Sequence, residues 1–115
     1  MAYHIEEIAY QNGYKIFYCS TDNDPDKTRE LIQLFRDRNG YKIPGTMGVI
    51  AFDDHQVFDF YEPTITAVAQ PISELARQSI RVLLSLLNKP MEERAVQKVA
   101  VPAHFIIRDS TTRLV

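Results

Sequence analysis

The chain has 115 residues, 45% of them apolar and 24% charged, with a formal net charge of −2. That is the balance of one soluble globular domain, large enough for a core and too small for two. It has no basic surplus of the kind that marks a nucleic-acid or anionic-membrane binder, and no apolar run near the ~20 residues of a membrane span. The single cysteine, Cys19, excludes an internal disulfide framework. It sits in an apolar, strand-like run, so core packing and a reducing compartment are expected. No basic stretch followed by an apolar one opens the chain, so no signal peptide is read and a cytoplasmic location is the expectation.

Residues 3–12 read as a helix with Ile5, Ile8 and Ala9 on one face. Asn12-Gly13 closes it, glycine being able to take the left-handed stop conformation. Aromatic and β-branched side chains predict a strand over 14–19. In the polar turn that follows, Asp24-Pro25 has the form of an N-cap and first helical residue, and Asp26 suits the positive end of a helix. That helix runs to about Arg38 and buries Thr28, Leu31, Ile32, Leu34 and Phe35 to different degrees. Arg36 and Arg38 fit its negative end better than they fit a phosphate site, and Asn39-Gly40 ends it.

A loop over 41–46 leads to Gly48-Val49-Ile50-Ala51-Phe52-Asp53-Asp54. The almost continuous apolar run predicts a short strand covered on both faces, at the centre of a mostly parallel sheet. Ligand sites in open α/β sheets lie beyond the carboxyl ends of the strands, which is where Asp53 and Asp54 stand. Residues 55–63 read as irregular or a single helical turn carrying Val57, Phe58, Phe60 and Tyr61, and 64–69 as another strand. Pro71 opens the longest helix, to about Asn88, with Ile72, Leu75, Ala76, Ile80, Leu83, Leu84 and Leu87 at helical spacing. Residues 96–107 form a last extended segment in which Pro102 argues for an edge or a bend, and the polar tail 108–115 is expected on the surface. Strands alternating with helices predict an α/β fold, a layered α/β/α arrangement with a small, mostly parallel sheet.

Residues 41–113 resemble the C-terminal end of the effector-binding region of LacI/GalR-type transcriptional regulators, a periplasmic-binding-protein-like fold. The matching features are Ile43-Pro44, the run from Val49 to Asp54, and Pro63-Thr64-Ile65-Thr66-Ala67-Val68-Ala69-Gln70-Pro71. Glu74-Leu75-Ala76 and Phe105-Ile106-Ile107-Arg108-Asp109-Ser110-Thr111 complete the pattern. Alanine stands at Ala51 and Ala76 where the family usually has glycine. Residues 5–39 resemble an earlier part of the same domain, through Glu6-Glu7-Ile8-Ala9, Asn12-Gly13-Tyr14 and Thr21-Asp22-Asn23-Asp24-Pro25. The two parts are joined directly near residues 38–42. The resemblance therefore implies one truncated effector-binding-type domain, with 1–39 and 40–115 as its two pieces. The DNA-binding headpiece, the first strand and the middle segment of the family pattern are missing from it.

The resemblance places Asp53 in the effector pocket, where an ionised carboxylate is acceptor-only and can take two donors from a vicinal diol. The alternative is that Asp53 caps the following turn. Thr21 and Ile72 also fall at pocket positions of the family, although a polar turn and a core-facing helical position account for them equally. Phe58, Phe60 and Tyr61 fall near the family's subunit interface, with core packing as the alternative. The implied partners are a sugar- or nucleoside-like effector and a second copy of the chain, with no nucleic acid bound directly and no membrane.

Nothing in the sequence makes an enzyme. Asp53 and Asp54 are adjacent, so on a strand they point to opposite faces and cannot pair as acid and base. His4, His55 and His104 lack metal-ligand spacing, and no phosphate loop or nucleophile elbow is present, so neither metal nor cofactor is expected. The competing reading is a structural α/β scaffold, natural or engineered, that binds no ligand.

Overall fold

The structure, a computed structural model, describes residues 2–112; residues 113–115 of the expected tail lie outside the described residues. In chain order the elements are α1 (Ala2–Gln11), α2 (Pro25–Asp37), β1 (Ile50–Phe52), β2 (Thr66–Ala69), α3 (Ile72–Leu87) and β3 (His104–Ile106). Single 3₁₀ turns follow β1, α3 and β3, at Gln56–Asp59, Met91–Glu93 and Asp109–Thr111.

Local signals set the helix ends. Gly13 takes φ +81° after α1, and the Tyr14 amide donates back to the Ala9 carbonyl at 2.9 Å. The Asp24 side chain accepts from the Asp26 amide at 2.9 Å, with Pro25 opening α2, as an N-cap followed by proline should. Arg36, near the end of α2, donates to the Glu62 carbonyl at 2.8 Å, tying the helix to the loop before β2.

The sheet has three strands in the order β1-β2-β3. β1 pairs with β2 in parallel, Ile50 opposite Thr66 and Phe52 opposite Val68. β2 pairs with β3 antiparallel, Ala67 opposite Ile106 and Ala69 opposite His104. The sheet is thus mixed, and its middle strand is β2. The expectation of β1 at the centre fails: β1 lies at one edge of the order β1-β2-β3, and segment 14–19, expected as a further strand, forms none. A strand needs a neighbour to satisfy its backbone, and sequence propensity alone does not supply one. The segment leans on α2 instead, with the Phe17 and Phe35 rings 5.9 Å apart. Cys19 is accordingly exposed, which corrects its expected burial.

Alternation along the strands separates two faces. Ala51, Ala67 and Ile106 lie in register on one face, the side on which the core sits. That core is Ile32 of α2, Phe58, Ile65 and Ala67, with Ile43, Val49, Ala51 and Tyr61 packed against it. On the other face Ile50, Phe52 and Phe105 are each about half exposed. β1 is therefore covered on one face only, although its apolar run predicted cover on both. The layer expected there would be a helix. α3 does not supply it: its apolar residues Ile72, Ile80, Leu83, Leu84 and Leu87 are all exposed. The Cα radius of gyration reflects this, at 19.1 Å, against roughly 13 Å for a compact domain of similar length.

Candidate functional site

The site expected from the sequence lies where β1 and β2 leave the sheet. Because these strands are parallel, Asp53 after β1 and Gln70-Pro71-Ile72 after β2 emerge at the same end. Asp53 adopts φ +71°, a left-handed conformation that aspartate tolerates better than most residues. Its amide donates to the Val68 carbonyl at 2.9 Å, so the turn is held by the neighbouring strand. The Asp53 residue is half-buried. None of the described hydrogen bonds uses its carboxylate, so the turn-capping alternative has no hydrogen bond to support it.

Asp54 does something different. It receives two hydrogen bonds from Arg108, at 2.8 and 3.2 Å. Arg108 also donates to Asp59 at 2.8 Å and to the Ile65 carbonyl at 2.6 Å. Its side chain is only 10% exposed, so the guanidinium is largely removed from water and its donors are used within the protein. The hydrogen bonds from Arg108 hold the Asp54 carboxyl below the usual carboxylate range, against the opposing effect of burial. The same pairing raises Arg108. Asp54 is thus committed to the fold, and the two adjacent carboxylates have separate roles.

The turn carrying Thr21 reaches this end of the sheet through one contact. His55 Nε2 lies 3.0 Å from Asn23 Oδ1, and the His55 ring stands edge-on to Phe58 with centroids 5.3 Å apart. Asp22 and Asn23 both have positive φ, at 52° and 57°, which folds the turn tightly ahead of α2. Thr21 is half-buried and Ile72 is 73% exposed. None of the described hydrogen bonds joins the Asp53, Thr21 and Ile72 side chains. An open depression of about 610 Å³ lies nearby, lined by Ser20, Lys27, Leu31, Leu34 and Arg38 among others, and none of the three lines it.

The three aromatic residues expected together at an interface are divided. Phe58 is 1% exposed and belongs to the core, which corrects its placement on a surface. Tyr61 packs against that core and donates from its hydroxyl to the Pro25 carbonyl at 3.0 Å. Phe60 alone stands out, 85% exposed.

Sequence reading missed Ser110 and Arg108, both assigned to a surface tail. Ser110 is fully buried. Its hydroxyl accepts from the Thr66 amide at 2.9 Å and donates to the Val49 carbonyl at 2.6 Å. A side chain thereby bridges β2 and the residue before β1. The available signal was the polar Ser110-Thr111 pair directly after an apolar strand, where buried polar groups must find partners. Among the described residues, no group of three or more His, Cys, Asp or Glu side chains is placed to hold a metal ion. No helix among them is long and apolar enough to cross a membrane.

The profile of the periplasmic binding protein-like domain family matches residues 16–111. The chain belongs to this family. It is 33% identical over 118 aligned residues to the NTD biosynthesis operon regulator NtdR of Bacillus subtilis, covering 92% of this chain and 35% of that protein. It is 31% identical over 107 residues to the same organism's "Probable HTH-type transcriptional repressor ExuR", covering 93% of this chain and 30% of that one. The chain therefore spans about a third of the length of these relatives. Among solved structures, it is similar to a LacI family transcriptional regulator from Enterococcus faecium with bound ribose. The TM-score is 0.55 at 27% identity, over 77% of this chain and 33% of the other. The fold is periplasmic-binding-protein-like, as the resemblance implied, and of α/β class.

Proposed function

We propose that the chain is an effector-sensing and dimerising part of a LacI-type transcriptional regulator, a single truncated effector-binding domain built from the pieces 1–39 and 40–115. It is not an enzyme and does not itself bind DNA, a reading supported by its net charge of −2. The effector is a sugar or nucleoside, and the ribose bound by the Enterococcus faecium relative favours a pentose. The carrying observation is the division of labour between the two carboxylates. Asp54 is consumed by Arg108, while the half-buried Asp53 carboxylate is unused at the carboxyl end of β1. An unused, partly desolvated acceptor at that place suits a vicinal diol. Thr21, in the turn whose Asn23 contacts His55, and the exposed Ile72 would add a hydroxyl and an apolar wall.

Calorimetric titration with ribose, other pentoses and hexoses, and nucleosides tests this. The expected result is heat with at least one ligand, weakened about tenfold or more by Asp53→Ala. Binding by Asp53→Ala equal to wild type, or no heat from any ligand, overturns it. That none of Asp53, Thr21 and Ile72 lines the depression by α2 favours a second reading, a scaffold that binds no small molecule, and the same titration decides between the two.

A further inference from the structure

We propose that Arg108 is a positioning residue of the candidate site. By holding Asp54, it keeps the neighbouring Asp53 in a left-handed conformation and so directs the unused carboxylate. The inference rests on the reading of Asp53 as the effector-facing group.

Asp53 is held from both sides. Val49 and Ala51 pack against the core. An extended residue 53 would continue their alternation and carry an unpaired carboxylate to that face, where burying a lone charge is costly. Its φ of +71° breaks the alternation. That conformation is strained for a residue with a Cβ, and such strain persists only where the surroundings over-determine it. Two ties do so, and they lie at opposite ends of β2. The Asp53 amide donates to the Val68 carbonyl at 2.9 Å, near the end of the strand. Asp54 is drawn toward the residue before the strand begins, because Arg108 Nη1 donates both to Asp54 at 2.8 Å and to the Ile65 carbonyl at 2.6 Å. The chain therefore reverses at residue 53 itself.

Arg108 is suited to this by its own anchorage. Its amide donates to Thr66 Oγ1 at 2.8 Å, and its Nε donates to Asp59 at 2.8 Å. Backbone and side chain are thus fixed apart from Asp54, and Nη1 and Nη2 close on the two Asp54 oxygens as a planar fork. Asp22 offers a contrast. It is also left-handed, at φ 52°, but its carboxylate is bonded by Ser20 and Lys27, both within five residues. A tight turn is made there by local contacts, whereas the turn at Asp53 is secured by a largely buried cation from 54 positions beyond Asp54.

The test compares glycine with alanine at residue 53, since neither has a carboxylate and the difference reports the backbone. Urea midpoints are measured for Asp53→Gly and Asp53→Ala in the wild-type chain and in Arg108→Met. With Arg108 in place, the glycine variant should have the higher midpoint, because glycine takes positive φ freely. With Arg108 replaced, residue 53 returns to an ordinary conformation and the order should reverse, glycine losing more chain freedom on folding. With Asp53 itself present, the short amide-to-Hα distance of a positive φ, read as a strong intraresidue NOE, should be lost in Arg108→Met. Ribose titration should show binding weakened about tenfold or more by Arg108→Met. Should Arg108→Met fail to fold, Asp54→Asn, which keeps the shape and removes the charge, takes its place, and the advantage of glycine should shrink. An advantage of the same size in both backgrounds, with the NOE kept, overturns the positioning role whether or not ribose binds. A reversed order with no heat from ribose or the other sugars and nucleosides overturns the effector reading and leaves Arg108 as the residue that sets the Asp53 backbone.

Discussion

Two regions of this chain are built on opposite terms. The three strands, the loop through Phe58 and the tail through Ser110 form a body whose polar groups are bonded to one another over long sequence distances. The periphery, which consists of the helices α1 and α3 and the irregular 14–19 segment, leaves its apolar side chains open, such as Ile8 at 61% and Leu87 at 58% exposed. The difference shows that helix formation and helix burial are separate achievements. Sixteen residues between Pro71 and Asn88 make α3, and nothing in that requires its apolar stripe to find a cover. The body needs all its parts at once.

The contrast can be broken by attacking the body first. Phe58→Ala empties the centre of a small core and should cost about 4 kcal/mol, seen as a large drop in the denaturant midpoint. A cost below about 1 kcal/mol would show that the core is not where stability resides. Ser110→Ala leaves the buried Thr66 amide and Val49 carbonyl without their partner and should cost about 3 kcal/mol in the same measurement. Serine to alanine at exposed Ser73 is the control and should change little.

The Arg108 cluster ranks next, and it carries the pH dependence. Arg108→Met should cost about 2 kcal/mol at neutral pH, less than a fully buried pair because Asp54 keeps 25% of its side-chain surface. Because the folded Asp54 pKa is depressed, the unfolded chain binds the proton more readily. The contribution is complete above the ordinary carboxylate value and is lost as pH falls through the depressed one. Urea titrations from neutral to acid pH should therefore show a slope at the acid end that Arg108→Met flattens. An unchanged slope would detach Asp54 from the acid sensitivity. Smallest is the α2 cap: Asp24→Ala should cost about 1 kcal/mol, with helix content measured by circular dichroism falling in step.

The same contrast explains what could be read in advance. The Asp24-Pro25 start of α2, the Gly13 stop and the bounds of α3 rest on residues within one helical turn of each other, and sequence displays them. The Asp54–Arg108 pair spans 54 positions and the Ser110–Val49 bond 61, so neither leaves a periodic trace. Phe58 lay in a loop, where an aromatic cluster reads equally as interface or core. Only Ile32 and the strands around it decide for core. The 14–19 segment failed in the other direction: its composition suits a strand, and a strand is a property of two segments. Asp53 was placed correctly at the sheet edge, while its separation from Asp54 in role depended on a residue far down the chain.

The Ser110 bridge also orders events in time. A hydroxyl that links residue 49 to residue 110 closes a loop of more than half the chain, and contacts of such separation form late and slowly. During synthesis the helices can appear as they are made, while the strands wait for the tail to emerge before their ladder is complete. Ribosome-bound chains halted before residue 110 should remain protease-sensitive across 49–69, and chains extended past it should become resistant there.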